Sequence, residues 1–435
     1  MKRKLLFFMA ITVGILSGCS DSGYRLDNSS RLINEPVFMS AQEFRSKEIK
    51  TLSAQKIEER GKICFYNGYL YISEPGEGIH IIDNRDPRQP KATGFVELDG
   101  NTDIAIRNDK LYADSYVDLL WFNLSDPEKP LYTDRLEDVF EYALPPIDNE
   151  YGYDYYGCFS GVNRKENIVV GWKLEKRKEA HFYYVNNDRD FLSMPMAMDS
   201  WNGSSAKSEM SDVSGGSQGI NGSMSRFSLY KDYLYTVLNN NMSIFDLSKE
   251  KPEKAVENLY IGGNVETIFS YGENMFMGTP TGMMIYSVKD PLNPEYMSQV
   301  WHVFGCDPVV VEDDIAYVTV HSGNFCGQNT NELIIIDVKD VRSPAHIVTY
   351  TMKRPKGLGI DNGTLFVCDD GLKVFNASEP QKIMANQLAH YSGMDGFDVI
   401  PFNNVLMMIA EDGLYQYDYS DLDKIKQISK IKVGK

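Results

Sequence analysis

The chain has 435 residues and a formal net charge of −17 at pH 7, with 61 acidic against 44 basic side chains. That balance argues against nucleic acid as a partner, because holding a phosphate backbone needs clustered positive charge. Twenty-seven Tyr and 21 Phe suit a body made of strands. Six cysteines with neither a close CxxC pair nor a Cys–His cluster argue against structural zinc.

In chain order, Lys2, Arg3 and Lys4 come first, followed by a short apolar run from Leu5 to Leu16 and then Leu16-Ser17-Gly18-Cys19. The run is short for a membrane span, and a cysteine directly after Leu-Ser-Gly resembles the lipidation site of bacterial lipoproteins. Residues 1–18 are thus expected to be a signal peptide, with Cys19 the lipidated first residue of the mature chain. An ordinary signal peptide or an N-terminal anchor is the alternative. Ser20 after the cysteine, rather than Asp, points to the outer membrane, with the body facing the periplasm or the cell surface. Residues 19–50 read as a tether ending in a short helix. Ser40 and Glu43 have capping-box spacing, and Phe44 is the contact by which the helix packs on the edge or bottom of the body. Residues 51–435 read as one domain.

One phrase recurs through that domain: an apolar strand, a polar anchor, then a turn that usually holds Pro. The anchors are Asp83, Asn123, Asp246, Ser287, Asp337, Asn376 and Asp418. Asp and Asn at such positions can hydrogen-bond their own turn. Ahead of each phrase stand two more strands joined by a tight turn, with Asn67-Gly68 and Asn362-Gly363 suited to positive φ. Each unit is a four-stranded antiparallel sheet, and steps of 40, 41, 39 and 42 residues indicate an all-β fold, a β-propeller. The gap from Asn123 to Asp246 holds inserted sequence at about 137–160 and 188–226. It also holds a stretch, Gly161 to Asn187, with strand candidates at Ile168 to Lys173 and His181 to Val185. Counting that stretch as a degenerate unit gives eight blades; treating it as an elaborated loop gives seven, and eight is the favoured count. Lys426 to Val433 and a strand around Thr51 to Ile57 are the pieces available to close the ring.

Cys306 and Cys326 flank the open end of the hairpin Pro308 to Val320, each in a Gly-containing loop, and a disulfide is expected there. Cys64 and Cys368 lie in apolar strand patterns and read as buried thiols. The apolar strand, Asp or Asn, then Ser-Asp-Pro-x-x-Pro resembles the LVIVD repeat proteins, bacterial β-propellers, and among them a group of lipoproteins typical of Bacteroidetes. Pro36 to Ser46, Tyr69 to Pro87, Lys110 to Pro127 and Cys306 to Cys326 carry the resemblance. It covers nearly all of the mature chain and departs at Asp188 to Asn221. It implies the propeller fold, supports the Cys306–Cys326 pair and implies no catalytic residues.

No GxSxG elbow, P-loop or dinucleotide fingerprint occurs, and the six histidines form no HExxH. His80 reads as packed between strand residues. In a propeller the innermost strands start at one mouth of the central channel. The residues entering them are therefore gathered from across the chain: Asn101, Asp103, Asn264, Glu266, Asp307 and Asp398, with His302 nearby. Tyr153 and Tyr155 of the first insertion could wall a pocket or stack on sugar rings. No cofactor is expected; if the acceptor ring held a cation, calcium would suit oxygen ligands. The expected function is that of a monomeric, non-enzymatic binding or scaffold propeller of the cell envelope, binding a protein, peptide or glycan at the channel mouth. The alternative is an exported hydrolase or lyase with its site at the same mouth.

Overall fold

The computed structural model describes residues 31–147, 151–177, 218–301, 308–321 and 330–434. Local turn chemistry builds each sheet. In the first, Ile63–Tyr66 turns into Tyr69–Glu74 through Asn67 at φ 48° and Gly68 at φ 81°. Two successive positive φ values match the twist of a two-residue hairpin. Asn108-Asp109, Asp313-Asp314, Asn362-Gly363 and Asn403-Asn404 repeat this geometry in four other sheets. The third strand, Gly78–Asp83 here, then runs to a polar anchor. All seven anchors accept a hydrogen bond from a main-chain N–H two residues on, from 2.7 Å at Asn123 to 3.4 Å at Ser287.

The result is seven blades, mostly four-stranded: residues 63–97, 104–136, 227–265, 267–301, 309–351, 358–391 and 396–432. The blade at 227–265 has three strands by pairing, yet its long strand Tyr233–Asp246 reverses at Asn239, φ 55°. Leu247 N–H reaches the Asp232 carbonyl at 2.8 Å, so the two ends of that strand lie side by side and it supplies the work of two.

Apolar faces of neighbouring blades pack on one another, as sheets with two buried faces must. Leu120 and Phe122 meet Ile79 and Ile81 between blades 1 and 2. Trp121 and Leu119 meet Phe227 and Phe245 between blades 2 and 3. Four further clusters join blades 3 to 7 in order, and a last one sets Ile400, Met407 and Ile409 of blade 7 against Ile63, Leu70 and Ile72 of blade 1. Seven seams close the ring.

The eight-blade expectation is therefore corrected to seven. The strand read as an eighth blade, Asn167–Arg177, pairs antiparallel with Arg31–Ser40 in a separate two-stranded ribbon. Its place in the ring does not exist, because the side chains of blades 2 and 3 already touch. The other strand candidate, His181 to Val185, lies outside the described residues. Nor does the expected Ser40 to Lys50 helix form as a substantial element. It reduces to Ala41–Ser46 at the end of the ribbon strand, with Ser40 Oγ accepting from Glu43 N at 3.1 Å. Its Phe44 is buried against Val117 and Ile168, above blade 2 on the channel-mouth side rather than at the edge or bottom. The closing pieces differ too. Lys426–Lys432 is blade 7's own outer strand, and Lys50–Ser53 is a fifth strand on blade 1. The ends of the chain body meet where Gly434 N–H reaches the Ile57 carbonyl at 2.9 Å and where Ile57 and Val433 pack in one apolar cluster.

Candidate functional site: a channel mouth filled by the chain itself

Each innermost strand runs away from the mouth, so Asp103 stands at the mouth and Arg107 at the far face. Residues 218–226 lie inside this channel. Gln218 bridges to Arg107 at the far end, and Gly219 N–H donates to Ile106 O at 2.7 Å. Ile220–Asn221 then adds to the inner edge of Ile63–Tyr66, and Gly222 N–H reaches Ile63 O at 3.1 Å. From there the chain turns over the mouth and descends as blade 3's inner strand, Phe227–Tyr230. At two points the passage has no room for a side chain: a Cβ on Gly219 would stand 2.7 Å from Cys64 Sγ, and one on Gly222 1.9 Å from Asp398 Oδ2.

Two buried carboxylates grip the segment. Asp398 Oδ1 accepts from the Ser223 N–H, the Ser223 hydroxyl and the Val399 N–H, each at 3.0 Å, and Oδ2 accepts from Met224 N–H at 3.2 Å. The Ser223 hydroxyl in turn accepts from Leu358 N–H at 2.9 Å. Asp103 accepts from the Ser225 hydroxyl at 2.9 Å, the Arg226 N–H at 2.6 Å and the Lys62 ammonium at 2.5 Å. Ile268 N–H donates to Ser225 O at 2.9 Å. These contacts tie blades 1, 2, 4, 6 and 7 to a segment that is itself the entry to blade 3.

Burial sets the electrostatics. It pushes Asp398 up to about 7 against the pull of its four donors. It lowers Lys62, although Asp103 opposes it, and lowers Lys356 beside Asp395, 2.5 Å away. It raises Asp114, although Arg226 and Thr102 oppose it. The thiols of Cys64 and Cys368, both buried and free, are raised by the same desolvation. The mouth is thus a mesh of paired charges rather than an acidic ring.

The expected site residues separate accordingly. Asn101, Asp103 and Asp398 do gather at the mouth, but all three are buried and committed. Asn101 accepts from the Ser73 hydroxyl at 2.5 Å and donates to Asp114 Oδ1 at 3.1 Å. Asp103 and Asp398 turn to donors of the chain itself, which leaves the calcium reading without support from them. Asn264 is exposed near the end of blade 3's last strand, Glu253–Val265, with its N–H on Asn240 Oδ1 at 2.8 Å, and Glu266, entering blade 4, is half-buried. Tyr153 and Tyr155 belong to another place: Tyr153 packs edge-on against Trp172 of the ribbon at 5.6 Å, and Tyr155 against Phe159 at 4.9 Å. His302, Asp307, Cys306, Cys326 and Cys19 lie outside the described residues. His80 is packed, as its sequence context suggests, 2.5 Å from Glu74. Lys62, Ser223, Ser225, Arg226 and Asp114 were not anticipated as parts of the mouth. The available signal was the run Gly219 to Ser225, whose glycines and serines are small enough for a channel.

The fold and this mouth define a seven-bladed β-propeller whose channel carries its own chain. Neither a family model nor a curated protein matches the sequence. Among solved structures it is similar to a protein from Lactobacillus plantarum, with TM-score 0.52 and 9% identity over 86% of this chain and 97% of that one. The periplasmic gluconolactonase PpgL of Pseudomonas aeruginosa gives 0.49 and 9% over 89% and 97%. BamB from Moraxella catarrhalis gives 0.42 and 8% over 78% of each chain. At such identities the likeness is one of fold alone.

Proposed function

We propose that the chain is an exported lipoprotein of the LVIVD repeat kind, held to the outer membrane through Cys19. On this reading its propeller is a non-enzymatic docking body for another envelope protein. One observation carries the reading: residues 218–226 occupy the mouth and use Asp103 and Asp398. What remains on that face is a broad rim of strand ends and inter-blade linkers, including Asn264 and Glu266, beside the Arg31–Ser40 ribbon. A broad rim suits a macromolecular surface, whereas a small substrate needs a concave site with convergent polar groups. The test is site-specific photocrosslinking in intact cells. A crosslinker at Asn264 should trap one protein, and one at Ser378 on the far face should trap none. Trapping from Ser378 alone would move the docking surface to the far face and sink the proposal.

A further inference from the structure

Exposed large apolar side chains concentrate on the layer above blade 2. Tyr156 is 63% exposed, Leu174 45% and Leu32 44%. They are contiguous. In the ribbon register Leu32 stands opposite Lys176 and Asn34 opposite Leu174, so Leu32 and Leu174 are diagonal neighbours on one face. Trp172, two residues on, continues that face, and a chain of rings follows it. Trp172 to Tyr153 is 5.6 Å, Tyr153 to Tyr155 6.3 Å and Tyr155 to Tyr156 6.0 Å. Aliphatic, Trp and Tyr side chains presented together are the composition that sits at the headgroup level of a bilayer. Of the strand's basic side chains only Lys176 shares that face; Lys173 pairs with Glu175, and Arg177 with Glu35 and Asp154. Chain length supplies the second argument. The ribbon begins at Arg31, and the eleven residues 20–30 separate it from Cys19. Fully extended they span about 40 Å, so a lipid at Cys19 would hold this layer at high local concentration beside the bilayer.

We infer that the Leu32–Leu174–Trp172–Tyr156 surface docks on a lipid bilayer, turning the channel-mouth face toward the membrane. The inference rests on the lipoprotein reading above and adds an orientation: the protein docked at the rim is then one embedded in that membrane. Lipid and ribbon act as two weak signals that together hold what neither holds alone.

The test separates them. The mature chain, residues 19–435 with Cys19→Ala and therefore without lipid, is floated with vesicles of phosphatidylethanolamine and phosphatidylglycerol, and with vesicles of phosphatidylcholine. Binding to both kinds of vesicle is expected, and it should persist at about 0.5 M salt because apolar contacts are not screened. Leu174→Ser with Tyr156→Ser should weaken it about tenfold, as removal of two exposed apolar contacts implies. Leu131→Ser with Leu422→Ser, exposed on the far face of blades 2 and 7, should leave it unchanged. No flotation, or equal loss in both pairs, overturns the inference. The mass of the native N-terminal peptide reads lipidation at Cys19 independently. An unmodified Cys19 overturns the lipoprotein reading, whatever the vesicles show.

Discussion

Single polar atoms decide much of this fold. Asp337 Oδ1 takes the Lys339 N–H at 2.9 Å, and the same turn recurs in every blade, with Ser287 in place of Asp or Asn in the fourth. Asp337→Ala should cost about 1 kcal/mol in urea unfolding, the usual worth of such a bond; an unchanged midpoint would show the anchors to be dispensable. Buried titratable groups give the residue scale its pH dependence. Asp398 is raised to about 7 in the fold, against about 4 for an unfolded aspartate. The folded chain therefore holds more protons between those values. The stability this group contributes is fully present below about pH 4 and is lost as pH rises through about 7. Between pH 6 and pH 8 wild type should lose about 1 kcal/mol relative to Asp398→Asn, read from paired melts. His80 acts in the opposite sense. Burial lowers its pKa despite Glu74, and its Nδ1 is buried without a hydrogen-bond partner, so a second ring proton finds no acceptor. Its contribution is present above about pH 6.5, the unfolded value, and is lost as pH falls below it. His80→Gln should remove that acid-side loss; an acid limb identical to wild type would assign it to other groups.

At the scale of elements, the segment 218–226 joins sequence to energetics. Gly222 is placed where any side chain meets Asp398 Oδ2. Gly222→Ala should destabilise by about 3 kcal/mol, at the upper end for overpacking. Asp398→Ala should cost about 2 kcal/mol by stranding the Ser223 and Met224 donors. Because both act at one contact, the double variant should cost at least about 1 kcal/mol less than the sum. Strict additivity would mean that the segment does not rest on Asp398. The mouth positions themselves were legible, since Asp103 and Asp398 each precede a recognisable inner strand. Their occupant was not. Ser225 and Asp103 lie 122 residues apart, and Ser223 and Asp398 lie 175 apart. A Ser/Gly-rich run with no strand periodicity carries no sign of which distant carboxylate it will meet.

For the whole molecule, the blade count shows which part of a sequence reading to weigh most. The seven capped anchors were all visible, and each marks one blade. The eighth came from filling the 123-residue gap between Asn123 and Asp246 with apolar strand pattern alone. Pattern says that Ile168 and Val169 must be buried, but not against what, and Arg31–Ser40 supplied the partner. Closure was misread for a related reason. Among the described residues no strand is exchanged between the first and last blades, so the seam between them depends on side chains. Its apolar part sets Ile63 and Ile72 against Ile400 and Ile409. Its buried polar part includes a reciprocal pair: Asn84 Nδ2 donates to Gln416 Oε1 at 3.0 Å, and Gln416 Nε2 donates to Asn84 Oδ1 at 2.6 Å. Arg60 adds a clasp on Asp395 at 3.1 Å over the Phe397 ring. The chain itself spans the other six seams but not this one, which should therefore open first, and Asn84 should be its most sensitive point. Asn84→Ala leaves the Gln416 amide buried and unpaired, at a cost of about 1–3 kcal/mol. That loss should appear locally. Amide exchange should quicken in Ile63–Tyr66 and Gly396–Phe402 ahead of Val309–Glu312 across the ring. Exchange that quickens equally in all three strands would mean that the ring unfolds as one unit and the seam is no weaker than the rest.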